Sequence, residues 1–61
     1  MPLICYVHRQ GNAVPYFEVL SEPAGDAAAR RAAQLLAERP DGVRVELWDG
    51  EELILTLDRG R

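Results

Sequence analysis

The fold of this chain is decided by residues 43–57, VRVELWDGEELILTL, in which two alternating apolar runs meet at an Asp-Gly pair. Alternation with a period of two is typical of a strand with one buried face, and Asp-Gly is a strong hairpin turn sequence. A two-residue turn would place Leu47 opposite Glu52. We therefore predict a hairpin with the three-residue loop Asp49-Gly50-Glu51, its glycine at a positive φ, which pairs Leu47 with Leu53. This register places on the buried face the set Val43, Val45, Leu47, Leu53, Leu55 and Leu57.

A second hairpin is predicted from the first twenty residues. The runs 3–8 and 14–20 are rich in β-branched and aromatic residues and flank a turn at Gln10-Gly11-Asn12. The predicted register pairs Ile4 with Glu18, Tyr6 with Tyr16 and His8 with Val14. It places on the buried face the set Leu3, Cys5, Val7, Phe17 and Val19. Because Pro15 cannot donate a ladder hydrogen bond, we expect the second strand at a sheet edge or at a bulge.

Residues 26–39 are predicted to form the helix between the two hairpins. The pattern i, i+4, i+7, i+8 is met by Ala28, Ala32, Leu35 and Leu36, with Leu36 expected at the centre of the buried stripe. Asp26 or Ser21 is the expected N-cap, and Pro40 ends the helix near Arg39. The order ββαββ predicts an α+β fold, a four-stranded, mainly antiparallel sheet with one helix on one face. Residues 1–61 are predicted to form a single domain, with 58–61 as a frayed tail.

Length and composition limit the classes of function. A domain of 61 residues buries a small core, and its one cysteine excludes an internal disulfide, so self-association is the expected source of further stability. The net charge of −3 disfavours binding to a phosphate backbone. The N-terminus has no signal-peptide pattern, and no apolar run is long enough to span a membrane. The sequence therefore predicts a cytoplasmic protein.

No catalytic or cofactor motif is found in the sequence. Cys5 and His8 lie three positions apart on a strand, so their side chains point to opposite faces and cannot form a nucleophile–base pair. The acidic pair Glu51-Glu52 is typical of a solvated hairpin tip. No glycine-rich loop opens the helix. We expect no catalytic residue, no metal and no cofactor, and an enzyme is the least favoured class.

The sheet face away from the helix is predicted to be an interface. Aromatic residues on an uncovered face of a small domain are typical of a contact surface. The expected interface residues are Ile4, Tyr6, Tyr16, Trp48 and Ile54, and possible polar contacts come from Arg30, Arg31 and Arg44. A homodimer is the expected assembly, with a protein partner possible, nucleic acid disfavoured and no membrane contact.

Three functions are compatible with that face. The favoured one is a small binding or accessory module that self-associates. The alternative is a nucleic-acid-associated or antitoxin-like regulator, in which a dimer presents the three arginines. A ligand pocket between two sheets, walled by Tyr6, Tyr16 and Trp48, is the third.

Residues 26–57 also carry a resemblance. An Ala/Arg-rich helix followed by the motif VELWDG at residues 45–50 resembles a set of short uncharacterised bacterial proteins. The entry to the helix, Pro23-Ala24-Gly25, departs from the acidic entry of that set. The resemblance implies an α+β domain and brings no activity with it, and no role is attached to Trp48 or Gly50.

Overall fold

The computed structural model describes residues 2–59. Within them the chain forms β1 (Leu3–Arg9), β2 (Asn12–Leu20), α1 (Asp26–Ala37), β3 (Gly42–Asp49) and β4 (Glu52–Asp58). All neighbouring strands are antiparallel, and their order across the sheet is β2-β1-β3-β4. The predicted α+β class and ββαββ order are confirmed.

The sheet places the two hairpins side by side, joined along β1 and β3. These central strands alternate most strictly between inward and outward side chains, and α1 packs mainly on β3 and to a lesser extent on β1. The edge strands are β2 and β4. Pro15 therefore lies in an edge strand, as predicted, where its missing N–H removes no hydrogen bond of a central ladder.

The core lies between α1 and the sheet. It consists of the buried side chains of Leu3, Cys5, Val7, Leu20, Ala28, Ala32, Leu35, Leu36, Val45 and Leu47. The four residues predicted for the helix stripe are all buried. Leu35, only 1% exposed, is more deeply buried than Leu36 at 7%, so the stripe is centred one residue before the predicted position.

The helix α1 begins at Asp26, as predicted, but its N-cap residue differs from the prediction. The N-cap is Gly25, with φ 132° and no side-chain hydrogen bond to the helix, rather than Asp26 or Ser21. A φ in that region favours glycine, which has no Cβ to clash. Asp26 is the first helical residue, and its carboxylate lies near the positive end of the helix dipole.

The end of α1 is held by a residue that the sequence placed in a frayed tail. The Arg59 side chain donates from Nε to the carbonyl of Gly42 (2.6 Å) and from Nη2 to the carbonyls of Arg39 (2.7 Å) and Leu36. Its backbone N–H also donates to the carbonyl of Val43 (2.9 Å). The predicted fraying is wrong for Arg59 and for Asp58, which belongs to β4. Residues 60 and 61 lie outside the described residues.

The β3–β4 hairpin keeps a tight turn where we expected a three-residue loop. Asp49 pairs with Glu52, so the loop is Gly50-Glu51, and Gly50 has the predicted positive φ of 63°. A bulge then lets Leu47 pair with Leu55, so the predicted partner Leu53 is wrong. The extra residue in β4 reconciles a favourable two-residue turn with a buried apolar face.

The β1–β2 register also differs from the prediction, by one residue. The pairs are Ile4–Val19, Cys5–Glu18, Tyr6–Phe17 and Val7–Tyr16. The ladder is irregular between Val7 and Arg9, opposite the segment that contains Pro15. From Arg9–Asn12 to Val7–Tyr16 the ladder advances two residues on β1 and four on β2. Beyond this irregularity β2 lies one position away from the predicted register, and a one-residue shift exchanges its two faces.

Candidate functional site: the outer face of the sheet

The outer face is the side of the sheet opposite α1, and its residues form three rows across the strands. Residues directly opposite in an antiparallel ladder share a face. The first row, called the apolar row, consists of Val19, Ile4, Trp48 and Leu53. The second, the mixed row, consists of Phe17, Tyr6, Glu46 and Thr56. The third, the charged row, consists of His8, Arg44 and Asp58.

The apolar part of this face is open to solvent. Phe17 is 58% exposed, Val19 55% and Leu53 44%. Tyr6 and Phe17 pack as a tilted aromatic pair with ring centroids 6.0 Å apart. With Trp48, three of the chain's four aromatic residues lie here. The face changes along the strands from apolar to charged.

Glu46 is the centre of the polar contacts on the outer face. Its Oε1 accepts a hydrogen bond from Trp48 Nε1 (3.2 Å). His8 Nε2 lies 3.4 Å from the same oxygen, and Arg44 Nη1 lies 3.8 Å from Oε2. The indole N–H of Trp48, followed by His8 and Arg44, holds the pKa of this carboxyl below its usual value despite partial burial. Glu46 is therefore a carboxylate at neutral pH.

A shallow depression surrounds this carboxylate. It has a volume of about 410 Å³ and is lined by Ile4, Tyr6, His8, Pro15, Glu46, Trp48 and Gly50. The volume lies within the usual range for small-molecule sites, about 300–1,000 Å³. The lining combines aromatic and aliphatic walls with one carboxylate.

The predicted interface residues do not all lie on the outer face. Ile4, Tyr6 and Trp48 do, and Ile54 lies at the β4 bulge with 37% of its surface exposed. Tyr16 faces the helix and packs against the core, so its assignment to the interface and to the wall of a pocket is wrong. The register shift at Pro15 is the physical reason.

Two outer-face residues were missed by the sequence reasoning. Phe17 and Val19 were expected in the core. Both sets of alternate residues in β2 contain apolar side chains, so the pattern of the strand alone does not decide which set is buried. The sequence signal that could have decided the register is Leu20, the last apolar residue of β2, because alternate residues of a strand share a face. In the structure Leu20 is buried, with 3% of its surface exposed. Placing Leu20 in the core requires Glu18 on the same side, where the helix offers Arg31 as its partner.

Two residues expected on the buried face of the second hairpin are also exposed. Val43 keeps 42% of its surface exposed, next to the irregularity of the β1–β3 ladder, and Leu53 lies opposite Trp48 on the outer face. Leu55 and Leu57 do pack against the core. The bulge in β4 accounts for the change at Leu53.

A polar cluster on the helix side ties β2 to α1. Arg31 Nη2 donates to Glu18 Oε2 (2.8 Å), and the Tyr16 hydroxyl donates to Glu18 Oε1 (3.0 Å). Arg31 and then Tyr16 hold the pKa of the Glu18 carboxyl below its usual value. The guanidinium of Arg39 lies 3.5 Å above the centre of the Tyr16 ring, a cation–π contact. This cluster links the edge strand β2 to α1, which packs mainly on the central strands.

The three arginines proposed for polar contacts are not brought together. Arg31 belongs to the helix side and is paired with Glu18, whereas Arg44 lies on the outer face and its Nε donates to Asp58 (3.2 Å). Arg30 is an exposed residue of α1. A phosphate would have to displace carboxylates from two of the three.

Cys5 and His8 lie on opposite faces, as predicted. Cys5 is fully buried between the sheet and α1, and His8 borders the depression. Burial, followed by the nearby Glu18 carboxylate, raises the pKa of the Cys5 thiol to about 11. A thiol in this state is a core side chain and a poor nucleophile.

Within residues 2–59, no group of three His, Cys, Asp or Glu side chains lies close enough together to hold a metal ion. In this part of the chain, the helix is too short and too polar to cross a membrane.

Comparison with known proteins identified no relative. No protein-family model matches the chain, and no curated protein or solved structure is significantly similar to it. The resemblance to short bacterial proteins with a VELWDG hairpin stays a prediction.

Proposed function

We propose that this chain is a small cytoplasmic binding or accessory module that self-associates through the outer face into a two-fold homodimer. The observation that carries the proposal is the apolar row, four apolar residues that cross every strand of the sheet on the side away from α1. Phe17 and Tyr6 extend it into the next row. A contiguous apolar patch of this kind marks a contact surface on small domains.

The size of the face supports a dimer. A standard interface takes about 800 Å² from each partner, which is about a fifth of the 4081 Å² surface of this chain. The molecule measures 31 × 20 × 15 Å, a thin two-layer shape whose broad sides are the helix layer and the outer face. One broad side can therefore supply the area, and a second copy offers a matching one.

The stability of the chain gives a second reason. Domains of this size bury little apolar surface, and the core here comprises ten side chains on one side of the sheet. Covering Phe17, Val19 and Leu53 would remove from water the largest apolar groups that the fold leaves exposed on this face. Burial of these side chains between two copies would therefore hold the dimer together and also stabilise the folded state of each chain.

The alternative of a nucleic-acid-associated regulator gains no support from the arginines. Arg31 and Arg44 are on different faces and each already pairs with a carboxylate. The net charge of −3 opposes approach to a phosphate backbone.

The experiment is a measurement of solution mass by light scattering. The wild type is expected to have twice the mass of one chain. Phe17→Glu places a charge in the apolar patch and should give the monomer with an unchanged far-ultraviolet spectrum, because Phe17 is exposed and contributes little to the core.

The matched control is Ala33→Glu, which adds the same charge to an exposed position of α1 in the other layer. This variant is expected to keep the dimer mass. A wild type that remains a monomer at high concentration, or a Phe17→Glu variant with wild-type mass, would contradict the proposal.

A further inference from the structure

The depression around Glu46 combines three features. Its walls include the rings of Tyr6 and Trp48, its charged group is the Glu46 carboxylate, and it opens on an apolar face. Tyr6 is the direct cross-strand neighbour of Glu46, and Trp48 follows two residues later on the same face. Both rings therefore stand beside the carboxylate.

The Glu46 carboxylate is only loosely paired with cationic side chains. His8 Nε2 lies 3.4 Å from its Oε1 and Arg44 Nη1 lies 3.8 Å from its Oε2, while the Nε of Arg44 donates to Asp58. Trp48 Nε1 donates a hydrogen bond to Oε1 of Glu46 but carries no charge. The Glu46 side chain is 21% exposed, so this carboxylate can be reached from solvent.

Aromatic rings beside an accessible carboxylate recognise organic cations. The ring face attracts a cation through its quadrupole, and a guanidinium or ammonium group donates charge-assisted hydrogen bonds to the carboxylate. An alkyl chain attached to the cation would lie on Ile4 and Pro15, which also line the depression. A simple anion would be repelled by the carboxylate.

We propose that the depression is a binding site for a guanidinium or ammonium group on a short aliphatic chain, held by Glu46 between Tyr6 and Trp48. The depression lies on the outer face that the proposed homodimer covers, so the inference rests on the proposed function in one respect: the cation binds the monomer and competes with the second copy for this face. The group comes from a small organic cation or from a basic side chain of a partner protein.

Trp48 provides a direct readout, because it is the chain's single tryptophan and lines the site. Its fluorescence is followed in protein diluted until light scattering gives the monomer mass while n-butylguanidinium is added, and n-butylurea, a neutral molecule of nearly the same shape, serves as the matched ligand. We expect a saturable change with the cation and none with the urea over the same range. Equal responses to the two ligands would overturn the proposal.

Two variants test whether the Glu46 carboxylate is the group that binds the cation. Glu46→Gln keeps the shape of the side chain and should weaken binding of the cation on the order of tenfold, because the charge-assisted hydrogen bonds are lost. Glu52→Gln removes the same charge from an exposed residue of the same hairpin that does not line the depression, and should leave binding unchanged. Equal weakening by both variants would show a general charge effect and overturn the site.

The titration is repeated in Phe17→Gln, which removes an apolar ring from the dimer surface without adding charge or altering a lining residue. Light scattering on this variant tests the proposed dimer, and fluorescence tests the site, so the two can fail separately. If Phe17→Gln is monomeric but its fluorescence does not change with butylguanidinium, the inference is overturned and the proposed dimer is not affected.

An acetylated and amidated Gly-Arg-Gly peptide distinguishes the two sources of the cation. Tighter binding of the peptide than of butylguanidinium supports a protein partner, and weaker binding supports a small molecule. Failure of both to bind overturns the proposal.

Discussion

The guanidinium of Arg59 donates to the backbone carbonyl of Arg39 over 2.7 Å, although twenty residues separate the two in sequence. The same side chain reaches the carbonyls of Leu36 and Gly42. The last turn of α1 contains no basic residue. Arg59, directly after β4, thus supplies the positive charge that the C-terminal end of a helix favours. It also adds a second donor to the carbonyls of Leu36 and Arg39, which already accept backbone hydrogen bonds.

Replacing Arg59 by alanine is expected to lower the free energy of unfolding by about 1–3 kcal/mol, because hydrogen bonds from a charged donor are lost together with its effect on the helix end. Urea unfolding of the wild type and the variant measures the change. Arg30→Ala, in the exposed face of α1, is the control and should stay within about 0.5 kcal/mol of the wild type. Equal stabilities for Arg59→Ala and the wild type would show that the contact contributes nothing in solution.

Leu35→Ala is expected to cost about 2–5 kcal/mol, as is usual for truncating a fully buried leucine. Leu35 is 1% exposed at the centre of the core, and a domain this small has little stability to lose. The thermal unfolding midpoint should therefore fall sharply or the variant should be unfolded at room temperature. Leu36→Ala should cost less, since Leu36 lies nearer the edge of the stripe; the reverse order would restore the prediction made from sequence.

Glu18 is expected to contribute to the loss of stability in acid. Because Arg31 and Tyr16 hold its pKa below the ordinary value of 4.5, the ionised form is favoured in the folded state. The resulting stability is present above pH 4.5 and is lost as the pH falls through the folded-state pKa. Urea midpoints measured at neutral and acid pH should differ less in Glu18→Gln than in the wild type. Glu22→Gln serves as the control and should follow the wild type.

Cys5 is expected to give a loss of stability in alkali. Its pKa rises from 9.0 to about 11 on folding, so the folded state retains a proton that the unfolded state releases. Stability is complete below pH 9 and falls by roughly 1–3 kcal/mol as the pH approaches 11. Cys5→Ala should be less stable at neutral pH but should lack this part of the alkaline decline. Parallel declines in the two proteins would contradict the assigned pKa.

The order and type of the elements were predictable because each is specified by local pattern. The helix stripe was specified by four apolar residues at helical spacing, and the second hairpin by alternation around Gly50. The tight turn at Gly50-Glu51 was not predictable from a regular ladder, because without a bulge it conflicts with a buried apolar face on both strands. A bulge of one residue at Ile54 satisfied both constraints.

The residues of the outer face were only partly predictable, because both sets of alternate residues in β2 contain large apolar side chains. In β2 the choice between Tyr16 and Phe17 for the core depends on Pro15, which disturbs the ladder, and on Arg31, which gives Glu18 a partner on the helix side. Pro15 lies within β2 itself, but the partner of Glu18 lies on α1, outside the strand. Ile4, Tyr6 and Trp48 were placed correctly since β1 and β3 alternate without ambiguity.

The pairing of β1 with β3 has a consequence for the speed of folding. Each hairpin closes a loop of two residues, a step of microseconds, whereas facing Val7 with Val45 closes most of the chain into one loop. The slow event is then the docking of two preformed hairpins along that seam, with α1 as the tether between them. Folding of this chain is expected to be limited by a single long-range encounter rather than by the formation of any of its parts.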